Sequence, residues 1–331
     1  MSPVVLPAFP LENFLTMSTT PSAALIAAAS AAAGHQQFPG GTLYVVATPI
    51  GNLADLSLRA IHVLGLVDAV ACEDTRVSAQ LLRWLGLHKP LLALHQHNEQ
   101  QAAQGLVARL LAGERIAYVS DAGTPAISDP GAVLVAAAAA AGIRVMPLPG
   151  ASSAAAALSV AGDARAQGFR FVGFLPTKAA ERRAALQALT GAPHSQVLFE
   201  APHRIEELFA LLAELAPEQT LTVCREVTKQ FETIHTAPCA SLPAWLAEDK
   251  QRERGEFVLV LHAAAAVSDG GGLPDEALRT LRVLVRDLPL KQAAALAAEL
   301  TGESRKALYQ QALEWKQDAQ GEDDEDADEA S

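Results

Sequence analysis

The segment RIAYVSDAGTPAISDPG (115–131) decides how the chain folds. Arg115 to Ser120 is a short apolar run with branched and aromatic side chains, which reads as a buried strand. Asp121 to Gly131 follows as a loop of glycine, proline and small side chains. A helix is expected from Ala132 to Ala141, stopped by Gly142, and Arg144 to Leu148 makes the next strand. Strand, loop, helix and strand at this short spacing form the repeating unit of an open, largely parallel α/β sheet. Such sheets bind ligands at the carboxyl ends of their strands, where this loop falls.

The same alternation extends outward. Thr42 to Thr48 (TLYVVAT) is a strand closed by the turn Pro49-Ile50-Gly51-Asn52. Helices are expected over 56–66, 78–85 and 99–112, with strands over 69–72 and 91–94. Gly113 suits the left-handed position just past a helix end. A second unit starts near Pro149-Gly150: helices over 152–160, 177–190 and 205–215, and strands over 169–174, 196–199, 221–224 and 256–262. The glycine-rich stretch 268–272 is a linker, followed by three helices at 274–286, 290–299 and 303–316. Residues 1–40 are rich in Ala, Ser, Thr and Pro, with a second methionine at Met17. They read as a mostly disordered extension holding a short helix near 23–33. These boundaries divide the chain into an extension (1–40), two α/β domains (41–149 and 150–265), a linker (266–273), a helical module (274–317) and an acidic tail (318–331).

Composition narrows the class. At 331 residues, 50% of them hydrophobic, the chain can bury a sizeable core in about two domains. Aromatics are only 5%, which favours helices packed on parallel strands over an aromatic-rich sandwich. Cys72, Cys224 and Cys239 are odd in number and far apart, so neither a disulfide framework nor a zinc site is expected. No Lys or Arg precedes Arg59, so the basic start of a secretory signal is missing, and the longest apolar run, 132–143, is too short to span a bilayer. A cytoplasmic protein is expected. The net charge of −12 argues against nucleic acid, but eight of the acidic residues lie in the tail from Asp318 onward, leaving a mildly acidic body.

Three small-residue loops fall at strand ends: 49–52, 120–131 and 149–153. Together they make a ligand shelf on one sheet edge, because small side chains let a ligand approach main-chain groups. Neither GxGxxG nor GxxxxGK[ST] occurs, so the usual dinucleotide and P-loop readings lack support. Polar clusters also follow strands: Glu73-Asp74-Thr75-Arg76, Glu200-Ala201-Pro202-His203-Arg204 and Arg225-Glu226-Val227-Thr228-Lys229. His95-Gln96-His97-Asn98-Glu99 precedes a helix. Each has two readings, an ion pair or helix cap on one side and chemistry on the other. His95 and His97 have no third ligand at metal spacing, so no metal is expected.

These segments resemble the tetrapyrrole methylase superfamily and, within it, the bacterial 16S ribosomal RNA 2′-O-methyltransferases. The resemblance is carried by LYVVATPIGNL (43–53), CEDTR (72–76), SDAGTPAISDPG (120–131), PLPGASS (147–153), FVGFLP (171–176), FEAPHR (199–204), CREVTK (224–229) and GEFVLV (255–260). It continues through LPLKQAAALAAELTGESRKALYQQAL (288–313). It implies two tandem α/β domains, the first sheet open and mainly parallel and the second mixed, plus a helix-turn-helix-like module. It implies a homodimer binding S-adenosylmethionine between the domains. Its substrate would be the ribose of a cytidine (cytidine 1402) in 16S rRNA within the 30S subunit. The matching positions place the cofactor on Pro49, Gly51, Ser120, Asp121, Ala122, Gly123, Thr124, Pro125, Ser152, Ser153, Phe174 and Pro176. Candidates for accepting the hydroxyl proton are Asp74, Glu200 and Lys229. Candidates for holding RNA are Arg76, His95, His97, Asn98, Lys178, His203, Arg204, Arg225, Lys291, Arg305 and Lys306. Arg279, Arg282 and Arg286 lie on the helix before them.

Two other functions stay open at this level. A precorrin or uroporphyrinogen methyltransferase would share cofactor and fold. A ribosome assembly factor would keep the fold without turnover. The Asp-Thr-Arg and Ala-Pro-His-Arg segments, the His-rich stretch and the helical module favour RNA over a macrocycle.

Overall fold

A computed structural model of the chain describes residues 22–95, 99–264 and 273–328. They form two compact units, divided between Ala264 and Ala265. The first unit holds both α/β domains. Its leading sheet contains β1 (Thr42–Val46), β2 (Ala69–Cys72), β3 (Leu91–Ala93), β4 (Arg115–Val119) and β5 (Arg144–Leu148), in the order β3-β2-β4-β1-β5. All its pairings are parallel.

Period-two alternation within the strands sorts the helices. Tyr44, Val46, Val70, Cys72, Ala117 and Val119 pack toward α1 (Ser22–Ala33), α2 (Leu58–Leu66) and α3 (Thr75–Trp84). Leu43, Ala71, Ile116 and Tyr118 pack toward α4 (Glu99–Leu111) and α5 (Ala132–Ala140). Each fully buried Leu or Ile contributes about 1.5–3 kcal/mol. Neighbouring strands β4 and β1 therefore send their chains to opposite faces, through α5 and α2. That reversal opens a crevice at their carboxyl ends.

The second sheet contains β6 (Phe169–Phe174), β7 (Ser195–Glu200), β8 (Thr220–Arg225), β9 (Thr233–Pro238) and β10 (Phe257–Leu261), in the order β6-β7-β10-β8-β9. Only β6 and β7 are parallel, so this sheet is mixed as expected. One face is covered by α7 (Ala179–Leu189), α8 (Ile205–Leu215) and α9 (Leu242–Ala247). The other carries α6 (Ser153–Ala161), whose Ala157 and Ala161 lie against Val197, Cys224 and Val260. The second unit is a three-helix module of α10 (Asp275–Asp287), α11 (Leu290–Thr301) and α12 (Arg305–Asp328), with its own core of Leu281, Ala293, Ala297 and Leu308.

Three expectations need correction. The helix expected near 23–33 is α1, but the segment from residue 22 also packs on the domain: Leu25, Ile26 and Ala29 join the first core, the Tyr44 hydroxyl donates to Pro39 O at 2.8 Å, and Arg115 Nε donates to Phe38 O at 2.9 Å. Residues 1–21 lie outside the described residues. Strand β9 and helix α9 had no sequence signal, because β9 is an edge strand of mixed polarity ending in proline. The backbone of α12 continues into the expected tail as far as Asp328, although Gly321 and the aspartates there are poor helix formers. All three cysteines are buried free thiols. Among the described residues no helix is long and apolar enough to cross a membrane.

Candidate active site

Three loops at the carboxyl edge of the first sheet are stitched into one rim. Thr48 N donates to Gly123 O at 2.9 Å, and Gly123 N returns a bond to Thr48 O at 3.0 Å. The Thr48 hydroxyl donates to Ser120 O at 3.1 Å, the Ser120 hydroxyl to Gly123 O at 3.1 Å and the Thr124 hydroxyl to Ala151 O at 3.1 Å. Short polar side chains thus satisfy the turns following β1, β4 and β5. Gly123 takes φ +81°, and a Cβ there would lie 3.2 Å from Ile50 Cγ2. A Cβ on Gly150 would lie 3.0 Å from Ala47 Cβ. The rim is close-packed at both glycines.

The loop after β4 is strained and tightly held. Ala126 and Ser128 adopt left-handed φ values of 64° and 66°, each costing about 1–2 kcal/mol. The buried Tyr118 hydroxyl donates to Pro130 O. Glu99 Oε1, from α4, accepts from Gly131 N at 2.7 Å and Val133 N at 3.2 Å, capping α5 from a distance. Gly131 has φ +123°, and a Cβ there would run into the Tyr118 ring.

Carboxylates crowd this loop. Burial, reinforced by Glu73 and Asp121, pushes Asp129 up to about 7. Burial and Asp121 raise Glu73, while His95 pulls it down. Burial also raises Asp121, although its Oδ1 accepts from Asp74 N at 3.1 Å. The rim therefore presents concentrated negative potential from two adjacent strand ends.

The second domain faces this rim. A Cβ on Gly51 would lie 2.5 Å from Lys229 Cγ and 2.9 Å from Thr228 Oγ1. A Cβ on Gly173 would lie 3.3 Å from Ser128 Oγ. The facing loop after β8 is itself strained, with Glu226 at φ 54° and Thr228 at φ 69°. Glu226 Oε1 holds it by accepting from Lys229 Nζ and from Glu256 N, both at 2.9 Å.

The three candidate proton acceptors all have structural employment. Asp74 caps α3 by accepting from Arg76 N at 2.8 Å, and the Arg76 guanidinium bound to it holds its carboxyl below the usual range. Glu200 is fully buried, 3.1 Å from Arg204 Nε, and burial raises its pKa. Lys229 is committed to Glu226 at 2.9 Å and Glu256 at 3.2 Å.

Two RNA candidates are corrected by burial. Arg204 is turned inward and donates to Leu175 O at 2.9 Å and Pro176 O at 3.2 Å, anchoring the end of β6. Arg225 donates to Arg254 O at 2.6 Å and Phe231 O at 3.2 Å, so it shapes the β8 loop instead of meeting phosphate. Arg76 has 86% of its side chain exposed, with its guanidinium paired to Asp74 at 2.6 Å. His95 and His203 are exposed, and Lys178 is exposed but pairs with Glu181 at 2.9 Å. His97 and Asn98 lie outside the described residues.

Among the cofactor candidates, Ser120 and Ser152 act on the rim's own backbone, Ser152 capping α6 by accepting from Ala155 N at 3.4 Å. Pro49, Gly51, Asp121, Ala122, Thr124, Ser153, Phe174 and Pro176 are partly accessible, while Gly123 and Pro125 are buried. In the helical unit Lys291, Arg305 and Lys306 are exposed, as are Arg279 and Arg286. Arg282 lies over the Trp315 ring at 4.9 Å. The Glu99 cap and the Glu226 clamp had no sequence signal, since each depends on a partner brought in by the fold.

A paired α/β body with a small-residue rim facing its second domain defines a class, and the family described as Tetrapyrrole (Corrin/Porphyrin) Methylases matches residues 42–243. Diphthine synthase shares the fold, with a TM-score of 0.50 at 15% identity over 67% of this chain and 90% of its own. The domain described as RsmI C-terminal HTH domain matches residues 271–316. Ribosomal RNA small subunit methyltransferase I of Escherichia coli O157:H7 is 49% identical over 83% of this chain and 95% of its own length. The protein of that name from Pseudomonas aeruginosa is 49% identical over 83% and 97%. The chain belongs to the tetrapyrrole methylase family, and within it to the ribosomal RNA small subunit methyltransferase I group.

Proposed function

We propose that the protein transfers a methyl group from S-adenosylmethionine to the 2′-hydroxyl of a cytidine ribose, cytidine 1402, in 16S rRNA of the 30S subunit. It would act in the cytoplasm, as a homodimer. The observation that carries this reading is the stitched rim of Thr48, Ser120, Gly123 and Ala151, facing the second domain and flanked by carboxylates. That rim suits the donor: a sulfonium is recognised by oxygen atoms and negative potential, and Glu73, Asp121 and Asp129 supply both. When bound, S-adenosylmethionine supplies an electrophilic methyl group on a positively charged sulfur.

The chain's own residues supply alignment and a proton acceptor. Gly51, Gly123 and the 149–153 turn would hold the donor against main chain, while Phe174 and Pro176, fixed through Arg204, would close the other side. Asp129 joins Asp74, Glu200 and Lys229 as a candidate acceptor, since its carboxyl sits in the loop after β4 beside Glu73 and Asp121 and is pushed up to about 7. Exposed Arg76 and the basic residues Lys291, Arg305 and Lys306 would hold RNA phosphates.

The test is transfer of labelled methyl groups into purified 30S subunits, with the product located by mass spectrometry. One ribose methyl is expected from the wild type and none from Gly123→Arg, whose side chain would enter the rim at φ +81°. Label appearing on a base, or undiminished transfer by the variant, would overturn the assignment.

A further inference from the structure

Away from the rim, the outer edge of the first sheet carries a groove between the second half of α3 and the start of β3. It is an open, shallow groove of about 380 Å³, large enough to seat a single base. Its apolar floor is made by Leu82, Leu87 and Leu91, and its rim by Arg83, His88 and Lys89. No carboxylate lines it. That is notable in a chain of net charge −12, and the sequence explains it: no acidic residue occurs between Asp74 and Glu99.

Of the two cations at the groove, Arg83 is the one left for an external anion. Lys89 Nζ is fixed at the groove wall by donating to Gly65 O at 2.7 Å and Val67 O at 2.8 Å. Asp68, the acid acting on Lys89, is occupied by Arg115 N at 2.7 Å. Arg83 and His88 are exposed, and Arg83 spends only Nε internally, on Ala79 O at 3.3 Å. Arg76 lies seven residues earlier on the same helix, about 10 Å along its axis, beside the rim. The basic track thus runs from the candidate active site down α3 into the groove. β3 is the outermost strand of its sheet, so the track lies on the margin of the domain.

We propose that this groove is a second RNA contact, taking one unstacked nucleotide of a single-stranded rRNA segment whose backbone follows α3 from Arg76. The base would lie on the leucine floor, and Arg83 and His88 would hold its phosphates. A duplex would not enter a space of this size. The proposal rests on the RNA-methylating reading and adds where the substrate is gripped beyond its reacting nucleotide. Remote contacts of this kind strengthen substrate capture without touching the chemistry.

The experiment compares the wild type with Arg83→Glu/His88→Glu and with the milder Arg83→Gln/His88→Gln. It measures methyl transfer to 30S subunits over a range of salt, binding to a 16S rRNA fragment, and calorimetric binding of S-adenosylmethionine. For the charge-reversed protein, KM for subunits and Kd for the fragment should both rise about tenfold, and the salt dependence should flatten by about 0.7 per lost phosphate contact. kcat and donor binding should stay unchanged, which also shows that the variants are folded. Unchanged Kd and salt slope would overturn the proposal. So would a rise in KM for subunits with unaltered fragment binding, which would place a ribosomal protein on the groove. A wild type that binds the fragment but methylates no RNA would instead sink the functional reading, while the fragment measurement still decides the groove.

Discussion

Asp129 shows what a single residue contributes and what it costs. Its carboxyl sits among Glu73 and Asp121 and is pushed up to about 7, against an ordinary value near 4. The folded protein therefore holds this proton more tightly than the unfolded chain does. The associated stability is complete below about pH 4 and is lost as pH rises through about 7. Asp129→Asn should be more stable than the wild type at pH 8, with the difference vanishing toward pH 4, as read from urea midpoints. The same variant should lose about a hundredfold in methyl transfer if Asp129 takes the hydroxyl proton. A stabilised but slow enzyme is the expected signature of a strained functional group. The acidic residue itself was legible in the SDPG turn. Its electrostatics were not, because Glu73 reaches it only through the pairing of β2 with β4.

At the scale of elements, caps decide where loops point. The first residue before α5 is Gly131, which has no side chain to cap the helix, and Glu99 from α4 takes that role across 32 positions of sequence. Glu99→Ala should destabilise the protein by about 1 kcal/mol. It should also speed hydrogen exchange at the amides of 131–135, because two donors at the helix start lose their acceptor. Unchanged protection there would show that the loop is held by Tyr118 alone. Helices with local caps, such as α3 under Asp74 and α6 under Ser152, were readable as helices from spacing, although the start of α3 was placed three residues late and Ser152 inside its helix. β9 was not, since an edge strand needs only one partner and tolerates proline.

For the whole molecule, the division after Ala264 separates catalysis from a module with its own core. A chain ending at Ala264 should melt at an unchanged temperature for the α/β body and keep its affinity for S-adenosylmethionine. Its KM for 30S subunits should rise, since the exposed cations Lys291, Arg305 and Lys306 would be gone. Retention of full subunit affinity would leave the module without a part in substrate capture.

Local patterning alone determined the strand–helix alternation, the parallel first sheet and the small-residue turns, because side-chain period and turn chemistry act over a few neighbours. Family motifs carried the reaction and the donor. Tertiary structure alone decided which polar residues reach the cleft. It buried Arg204 and Arg225, tied Lys229 to two carboxylates and brought Glu73 to Asp129. Those outcomes depend on strand order and on the facing of two domains, and pairings between distant segments leave no periodic trace along a chain.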